Sequence, residues 1–249
     1  MRTKMLNVTT SWDDGDVLDQ RLAELLTRYG IKGTFYITKD YRGQRIPENC
    51  LRELSVAHEI GAHTLTHPDL RTLPSEKLRE EIDGSKQWLE NILGAEVKMF
   101  CYPKGLYDER VVSAVKEAGF FGARTTALGS VALPIDPFRL ETTMQAYPFP
   151  LRKNGRNRYY LGRLFQPYIQ RAPGFKKLGV STFSMRSWLA AAKAAFDVSL
   201  TTGGVFHLWG HSWEIEKYGM WDELEEFLRY MAQRKDQCTF VTNSALLPL

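Results

Sequence analysis

Cysteine is scarce in this chain. There are three, Cys50, Cys101 and Cys238, far apart and with no C-x-x-C pair. That argues against a disulfide framework or a thiolate zinc site, and reduced thiols fit better. Long apolar runs are missing as well. Nothing approaches the roughly eighteen consecutive apolar residues that a membrane-crossing helix needs. The opening Met1-Arg2-Thr3-Lys4-Met5 has no apolar h-region and no small-residue cleavage site, so a cytoplasmic location is expected unless a signal was removed upstream. No Gly-x-Gly-x-x-Gly follows the first strand-like segment, which argues against a dinucleotide-binding sheet. Acidic residues are absent from one long stretch. Residues 142–196 carry ten of the 33 Lys and Arg residues and none of the 29 Asp and Glu residues. The net charge of +4 therefore hides a basic block on an otherwise acidic chain. Such a block suggests an anionic partner, with a solvated surface loop as the alternative.

What is present reads as an ordinary globular chain, 43% hydrophobic and 12% aromatic over 249 residues. That length suits one large α/β barrel. Leu6 to Trp12 alternates and is rich in β-formers, predicting a strand that ends at Asp13. Val17 to Tyr29 predicts a helix with Leu18, Leu22, Leu25 and Leu26 on one face, closed by Gly30. Further strands are expected at Gly33–Thr38, Glu59–Ala62, Lys98–Tyr102, Phe120–Thr125, Phe138–Thr143, Gly204–Trp209 and Cys238–Thr242. Helices are expected at Glu48–His58, Ser75–Leu93, Glu109–Ala118, Met185–Phe196 and Trp221–Arg234. Leu161, Leu164, Phe165 and Tyr168 have helical spacing, but Pro167 should break or kink that helix. Strand and helix alternate throughout, which predicts a parallel sheet. Seven or eight such units predict a TIM-like (β/α) barrel, one domain over residues 1–249, with a basic-aromatic insertion at about 142–196 before the last strands.

The chemistry-bearing residues cluster just after predicted strands, where a barrel gathers its loops at one mouth. Asp13 and Asp14 follow the first strand and His63 the third. Tyr102 to Gly105 and His211 follow later ones. His63 and His67 are spaced i, i+4, so on a helical turn they would face the same way. With Asp14 they make a His₂Asp set able to hold one divalent ion, leaving a position open for water. Asp13, pointing the other way along the strand, is then at liberty to act as a base. Taken alone, Asp-Asp-Gly is a common structural turn and H-x-x-x-H a common helix surface. Their joint placement after strands is what points to a metal.

At these residues the chain resembles a family. Ser11-Trp12-Asp13-Asp14-Gly15 is similar to the first motif of the polysaccharide deacetylase domain (NodB homology, carbohydrate esterase family 4), usually Thr-Phe-Asp-Asp-Gly. His63-Thr64-Leu65-Thr66-His67-Pro68-Asp69-Leu70 resembles its second motif. Cys101-Tyr102-Pro103-Lys104-Gly105 sits where Arg-x-Pro-x-Gly belongs. The likeness covers about residues 6–126 and resumes at 204–216. It implies a distorted (β/α) barrel and a hydrolase that removes an N-acetyl or other N-acyl group from an amino sugar or glycan. It makes Asp13 the base and Asp14, His63 and His67 the metal ligands. The Lys104 backbone N–H would bind the oxyanion, with Tyr102 beside it in the substrate-binding set. The expected cofactor is one divalent metal ion, zinc first, with cobalt, nickel or manganese as alternatives.

Two departures bear on this. The family's third motif usually begins with an Arg that tunes the catalytic Asp, and here Cys101 stands in its place. Arg124, after the next strand, is a candidate substitute. The general acid is either His211, favoured, or His207. Residues 207, 209 and 211 share one face of a strand, and His211-Ser212-Trp213-Glu214-Ile215-Glu216 is similar to a stretch of some family members. His211 would protonate the departing sugar nitrogen after water, deprotonated by Asp13, attacks the acyl carbonyl. His58 is expected on a helix surface. A two-ion site using both H-x-x-x-H pairs is a rival, as is a non-catalytic carbohydrate-binding barrel. Deformylation, or cleavage of another non-polysaccharide C–N bond, would use the same machinery.

The basic segment interleaves Tyr147, Phe149, Tyr159, Tyr160, Phe165, Tyr168, Phe175, Phe183 and Trp188. It is expected to cap the barrel mouth and meet an anionic substrate, such as a sugar on a phosphate lipid or nucleotide. Peripheral contact with anionic lipid is compatible with this, whereas nucleic acid is not expected for want of a binding module. Neutralising Arg152, Lys153, Arg156 and Arg158 together should raise KM for the anionic substrate and flatten its salt dependence in steady-state kinetics. No change in either would end this idea.

Overall fold

The computed structural model describes residues 5–41, 43–152 and 161–247. Its strands are β1 (Leu6–Asp14), β2 (Gly33–Ile37), β3 (Glu59–Ala62), β4 (Met99–Cys101), β5 (Gly122–Arg124), β6 (Met144–Ala146), β7 (Val205–Gly210) and β8 (Cys238–Phe240). The helices are α1 (Asp19–Arg28), α2 (Glu48–Ala57), α3 (Ser75–Leu93), α4 (Glu109–Glu117), α5 (Leu161–Lys177), α6 (Trp188–Thr202), α7 (Ser212–Lys217) and α8 (Trp221–Ala232). All strand pairings are parallel, in the order β5-β4-β3-β2-β1-β7-β6. Asn7 and Val8 pair with both β7 and β8, so β8 lies on the edge of β1 that β2 takes up from Thr10 onward. The sheet curls so that its two ends approach each other. Leu140 bridges Arg124 of β5, and the Thr143 N–H donates to the His207 carbonyl of β7 at 2.9 Å. The result is the distorted (β/α) barrel that the alternation of elements predicts. No described helix is long and apolar enough to cross a membrane.

Parity along β1 sorts the two faces. Val8 and Trp12 join the large apolar cluster beneath the surrounding helices. Thr9, Ser11 and Asp13 face the barrel interior and bond to Asn243, His207 and Arg124. A smaller apolar cluster of Tyr36, Met99, Cys101, Leu140, Val205 and Leu246 fills the rest of that interior. A strand buried on both faces needs an apolar residue only where a helix covers it, and period-two alternation supplies this.

The helices pack by ordinary amphipathic spacing. On α3, Leu78, Ile82, Ser85, Leu89 and Ile92 are buried, and Gly94 ends the helix in the left-handed conformation at φ 65°. Asp108 caps α4 by accepting from the Val111 N–H at 2.9 Å. Ser187 caps α6 in the same way, from Ala190.

Three expectations need correction. Residues 138–143 are not a strand. Pro137–Arg139 forms a 3₁₀ turn, where the Asp136 carboxylate accepts from the Phe138 N–H, and regular pairing starts only at Met144. Such a local side-chain bond competes with a ladder. Helix α5 continues through Pro167 and Pro173. Near the first proline, the Leu164 carbonyl accepts from the Arg152 N–H at 3.1 Å, which anchors the preceding loop to the helix. His58 is buried rather than on a helix surface. Its Nδ1 accepts from the Gly33 N–H at 3.2 Å, and its Nε2 faces the Ala23 carbonyl and the Thr27 hydroxyl.

An imidazole whose Nδ1 accepts a backbone proton must stay neutral to keep that bond. Burial pushes the His58 pKa down, Lys32 adds to this, and the Ala23 carbonyl only partly opposes it. The unfolded imidazole titrates near pH 6.5. The contribution of His58 is therefore present above that pH and lost as pH falls toward its depressed folded value. Urea unfolding at pH 7.5 and 5.5 should show a larger acid loss for the native chain than for His58→Gln. Equal losses would refute this.

Candidate functional site

Asp13 and Asp14 end β1, and simple alternation would send their side chains to opposite faces. They instead line one cavity of about 490 Å³ at the C-terminal ends of the strands, together with His63, His67, Lys104 and His211. The backbone explains this. Asp14 adopts φ 83°, which turns its carboxylate back to the Asp13 side. Gly15 follows at φ 71°, where a Cβ would come within 2.9 Å of Ile37 Cγ2. Asp-Asp-Gly is thus a turn and a site at once.

His63 and His67 do not share a helical turn. Residues 63–69 form a loop after β3, with Thr64 at φ 69° and His67 at φ 60°. The Thr64 hydroxyl accepts from the His67 N–H at 2.9 Å and holds the loop in shape. The two rings meet edge to face with centroids 4.8 Å apart, and Tyr41 stacks on His67 at 4.1 Å. His63 donates from Nδ1 to the Cys101 carbonyl at 2.7 Å, which leaves its Nε2 with a free lone pair. The Nε2 atoms of His63 and His67 stand 3.9 and 3.8 Å from Asp14 Oδ1. These separations are too long for hydrogen bonds. Ligand atoms from Asp14, His63 and His67 all lie within 4.8 Å of one another. Burial and the neighbouring His63 push His67 down to a pKa of about 3, so it is a neutral nitrogen donor. Burial also lowers His63. Two neutral imidazoles and one carboxylate around a common space fit a divalent cation. The indole N–H of Trp213 donates to the second oxygen of Asp14 at 2.9 Å, which fixes the carboxylate plane.

Asp13 is buried and bonded to the Arg124 guanidinium, itself wholly buried. Burial alone would raise the Asp13 pKa. Arg124, then His63 and His211, outweigh it and hold the carboxyl below its usual range. Arg124 and Cys101 are register partners across β4 and β5. A guanidinium launched from Arg124 therefore reaches the carboxylate toward which the Cys101 thiol also points, 3.9 Å from Oδ2. Asp13, His63 and Cys101 also form a cluster of donor atoms. There burial raises the thiol pKa, keeping it protonated and a poor ligand.

His211 follows β7 and precedes α7. Its Nδ1 bonds to Glu214 at 2.7 Å, and its Nε2 lies 3.9 Å from Asp14 Oδ2. Burial opposes its protonation, but the Glu214 bond and the aspartates raise it to a pKa of about 9. His207 does not reach the cavity. Its Nε2 accepts from the Ser11 hydroxyl at 2.8 Å, and its Nδ1 faces the Glu141 carbonyl at 3.2 Å. Enclosed in the barrel, it is pushed down to a pKa of about 3. The second H-x-x-x-H pair therefore does not assemble, and a two-ion site through His207 has no donors. Tyr102 is likewise in the core, its hydroxyl donating to the Phe138 carbonyl at 3.0 Å and its ring stacked on Tyr107. Lys104 lines the cavity at φ 58°, followed by Gly105, where a Cβ would meet Thr126 Oγ1 at 2.0 Å. Of the four basic residues expected at the mouth, Arg152 is described and donates to the Tyr147 hydroxyl at 2.7 Å. Lys153, Arg156 and Arg158 lie outside the described residues, as do Tyr159 and Tyr160.

Sequence reasoning missed the roles of Glu214 and Trp213, and it missed Gln145, Gln170 and Arg171 as cavity residues. The His211-x-x-Glu214 spacing on a short helix was the available signal for the first. Nothing local marks the others.

The sequence model of the polysaccharide deacetylase family matches residues 2–123. The chain is 25% identical over 121 residues to a peptidoglycan-N-acetylmuramic acid deacetylase of Bacillus subtilis, covering 47% of this chain and 46% of that one. The chain spans less than half the length of the first curated relatives it matches. The structure resembles the chitin deacetylase from Colletotrichum lindemuthianum, with TM-score 0.59, 16% identity and coverage of 98% and 88% of the two chains. It also resembles a family 4 acetyl xylan esterase from Clostridium thermocellum in complex with a cobalt ion, with TM-score 0.56, 16% identity and coverage of 96% and 89%. At such identity the likeness is one of fold.

Replacing Arg124 by leucine would strand the buried Asp13 charge and should cost about 3–5 kcal/mol in urea unfolding. Adding Asp13→Asn removes that charge, so most of the loss should return. A double variant as unstable as the single one would show that the guanidinium matters for its packing and not for its charge.

Proposed function

With residues 2–123 belonging to the polysaccharide deacetylase family, we propose that this chain is a metal-dependent hydrolase that removes an N-acyl group, acetyl in the first place, from an amino sugar. The observation that carries this reading is the gathering of Asp14, His63 and His67 beside two separately tuned proton carriers, Asp13 and His211.

The proposed ligands are Asp14, His63 and His67, for zinc first and cobalt, nickel or manganese as alternatives. A cation held there supplies Lewis acidity, polarising the acyl carbonyl and acidifying water. Asp13 is the proposed base. Its pairing with Arg124 keeps it ionised and aims it into the cavity, so it can take the proton of the attacking water. The Lys104 backbone N–H is the proposed oxyanion donor, presented by the left-handed turn at that residue. His211 is the proposed acid. Glu214 occupies its Nδ1 and leaves the Nε2 proton to pass to the departing sugar nitrogen, completing cleavage to a carboxylic acid and a free amine. Opposite perturbations of two titratable groups in one cavity are the expected mark of an acid–base pair.

Three variants test the assignment by metal analysis and by acetate release from N-acetylated chitooligosaccharides. Asp14→Ala and His67→Ala should each lose bound metal and at least about 100-fold in kcat/KM. His211→Ala should keep its metal and lose about 10²–10⁴-fold in kcat. Unchanged metal content and turnover in the first two would overturn the proposal.

A further inference from the structure

Helix α5 delivers a second feature to the same cavity. Arg171 is only 7% exposed, yet it lines the cavity with Gln145 of β6 and Gln170. Its guanidinium donates to Gln145 Oε1 and, at 3.4 Å, to Gln170 Oε1, and it stacks over the Tyr147 ring with 4.3 Å to the centroid. A guanidinium has five N–H donors, and these bonds use two. Among the described residues its enclosed Nε has no partner and no carboxylate pairs with Arg171 within 4.0 Å. Glu214 acts on it only from a distance, being bonded to His211. Arg152 lies on the other side of Tyr147 and adds like charge. Burial pushes the Arg171 pKa down to about 10. The Trp209 indole N–H, on a residue that also lines this cavity, has no acceptor among the described residues either.

A buried cation without a counter-charge is costly to keep. Gln145 and Gln170 orient the guanidinium without neutralising it. The missing partner is an oxyanion, which a planar guanidinium binds through paired N–H donors. The cavity also holds the proposed hydrolytic groups, so the anion arrives on the substrate.

We propose that Arg171, set by Gln145 and Gln170, is a specificity-determining residue that binds an anionic group, a phosphate or a carboxylate, carried by the N-acylated amino sugar. This inference rests on the deacetylase reading for its substrate and on the α5 geometry for its charge. It moves the anion contact from the expected set of Arg152, Lys153, Arg156 and Arg158 to a buried residue of the barrel mouth.

Two readouts separate the inferences. The first is calorimetric affinity for glucosamine 6-phosphate, glucosamine 1-phosphate and muramic acid against glucosamine, none of which requires turnover. The native protein should bind a phosphate- or carboxylate-bearing sugar about tenfold or more tightly than the neutral one. The three anionic ligands show which oxyanion fits. Arg171→Met should abolish the preference, and Arg171→Lys, which keeps the charge but loses the fork, should leave an intermediate one. The second is kcat/KM for the N-acetylated forms of the same sugars, whose anionic-to-neutral ratio should fall in parallel. Equal affinity for charged and neutral sugars, or a preference that survives in Arg171→Met and Arg171→Lys, would overturn the inference. An intact Arg171-dependent preference without acetate release from any sugar would support the anion site and defeat the deacetylase reading.

Discussion

The pairing of Asp13 with Arg124 organises the barrel mouth. Both side chains are buried, and neither charge is tolerable there alone. The pair joins β1 to β5, with three strands between them in the sheet order. It can do so only because the sheet curls and brings those strands face to face across the interior. The same contact sets the protonation of Asp13. Curvature, ion pair and the state of the carboxylate are therefore one constraint seen at three scales.

Much of the architecture was legible in the residues. Most strands were legible to within a residue or two, because runs of β-formers bounded by turn residues mark them. The motifs named Asp13, Asp14, His63, His67 and His211, and all five line one cavity. The reasons were less legible. Helical spacing paired two histidines that do converge, but through a wrong geometry, since a loop with left-handed residues brings them together. Asp14 escapes simple alternation for the same reason. Arg124 could be suspected from its place after a strand, but only register shows it directly across from Cys101. His207 and Tyr102 have the right residue types and strand positions, yet each is tied up inside the core. Pattern does not report what a side chain touches.

The family match ends at residue 123. Arg124, Gln145, Arg171 and His211 all come later. The first half of the barrel thus carries the proposed cation ligands and base. The second half carries the groups that tune the base, the proposed acid and the cavity's buried guanidinium. The two sets meet at β1, which pairs with strands of both halves.

Among the described residues, the non-glycine positions in the left-handed region are Asp14, Thr64, His67 and Lys104. Three of them line the cavity, and the fourth, Thr64, holds the loop that carries His67. Such conformations persist only where the surroundings over-determine them. At these four positions the mouth is set by strand ends and packed turns. Association should consequently draw little on loop ordering, and selectivity should follow from fit to a fixed mould and not from closure around the guest.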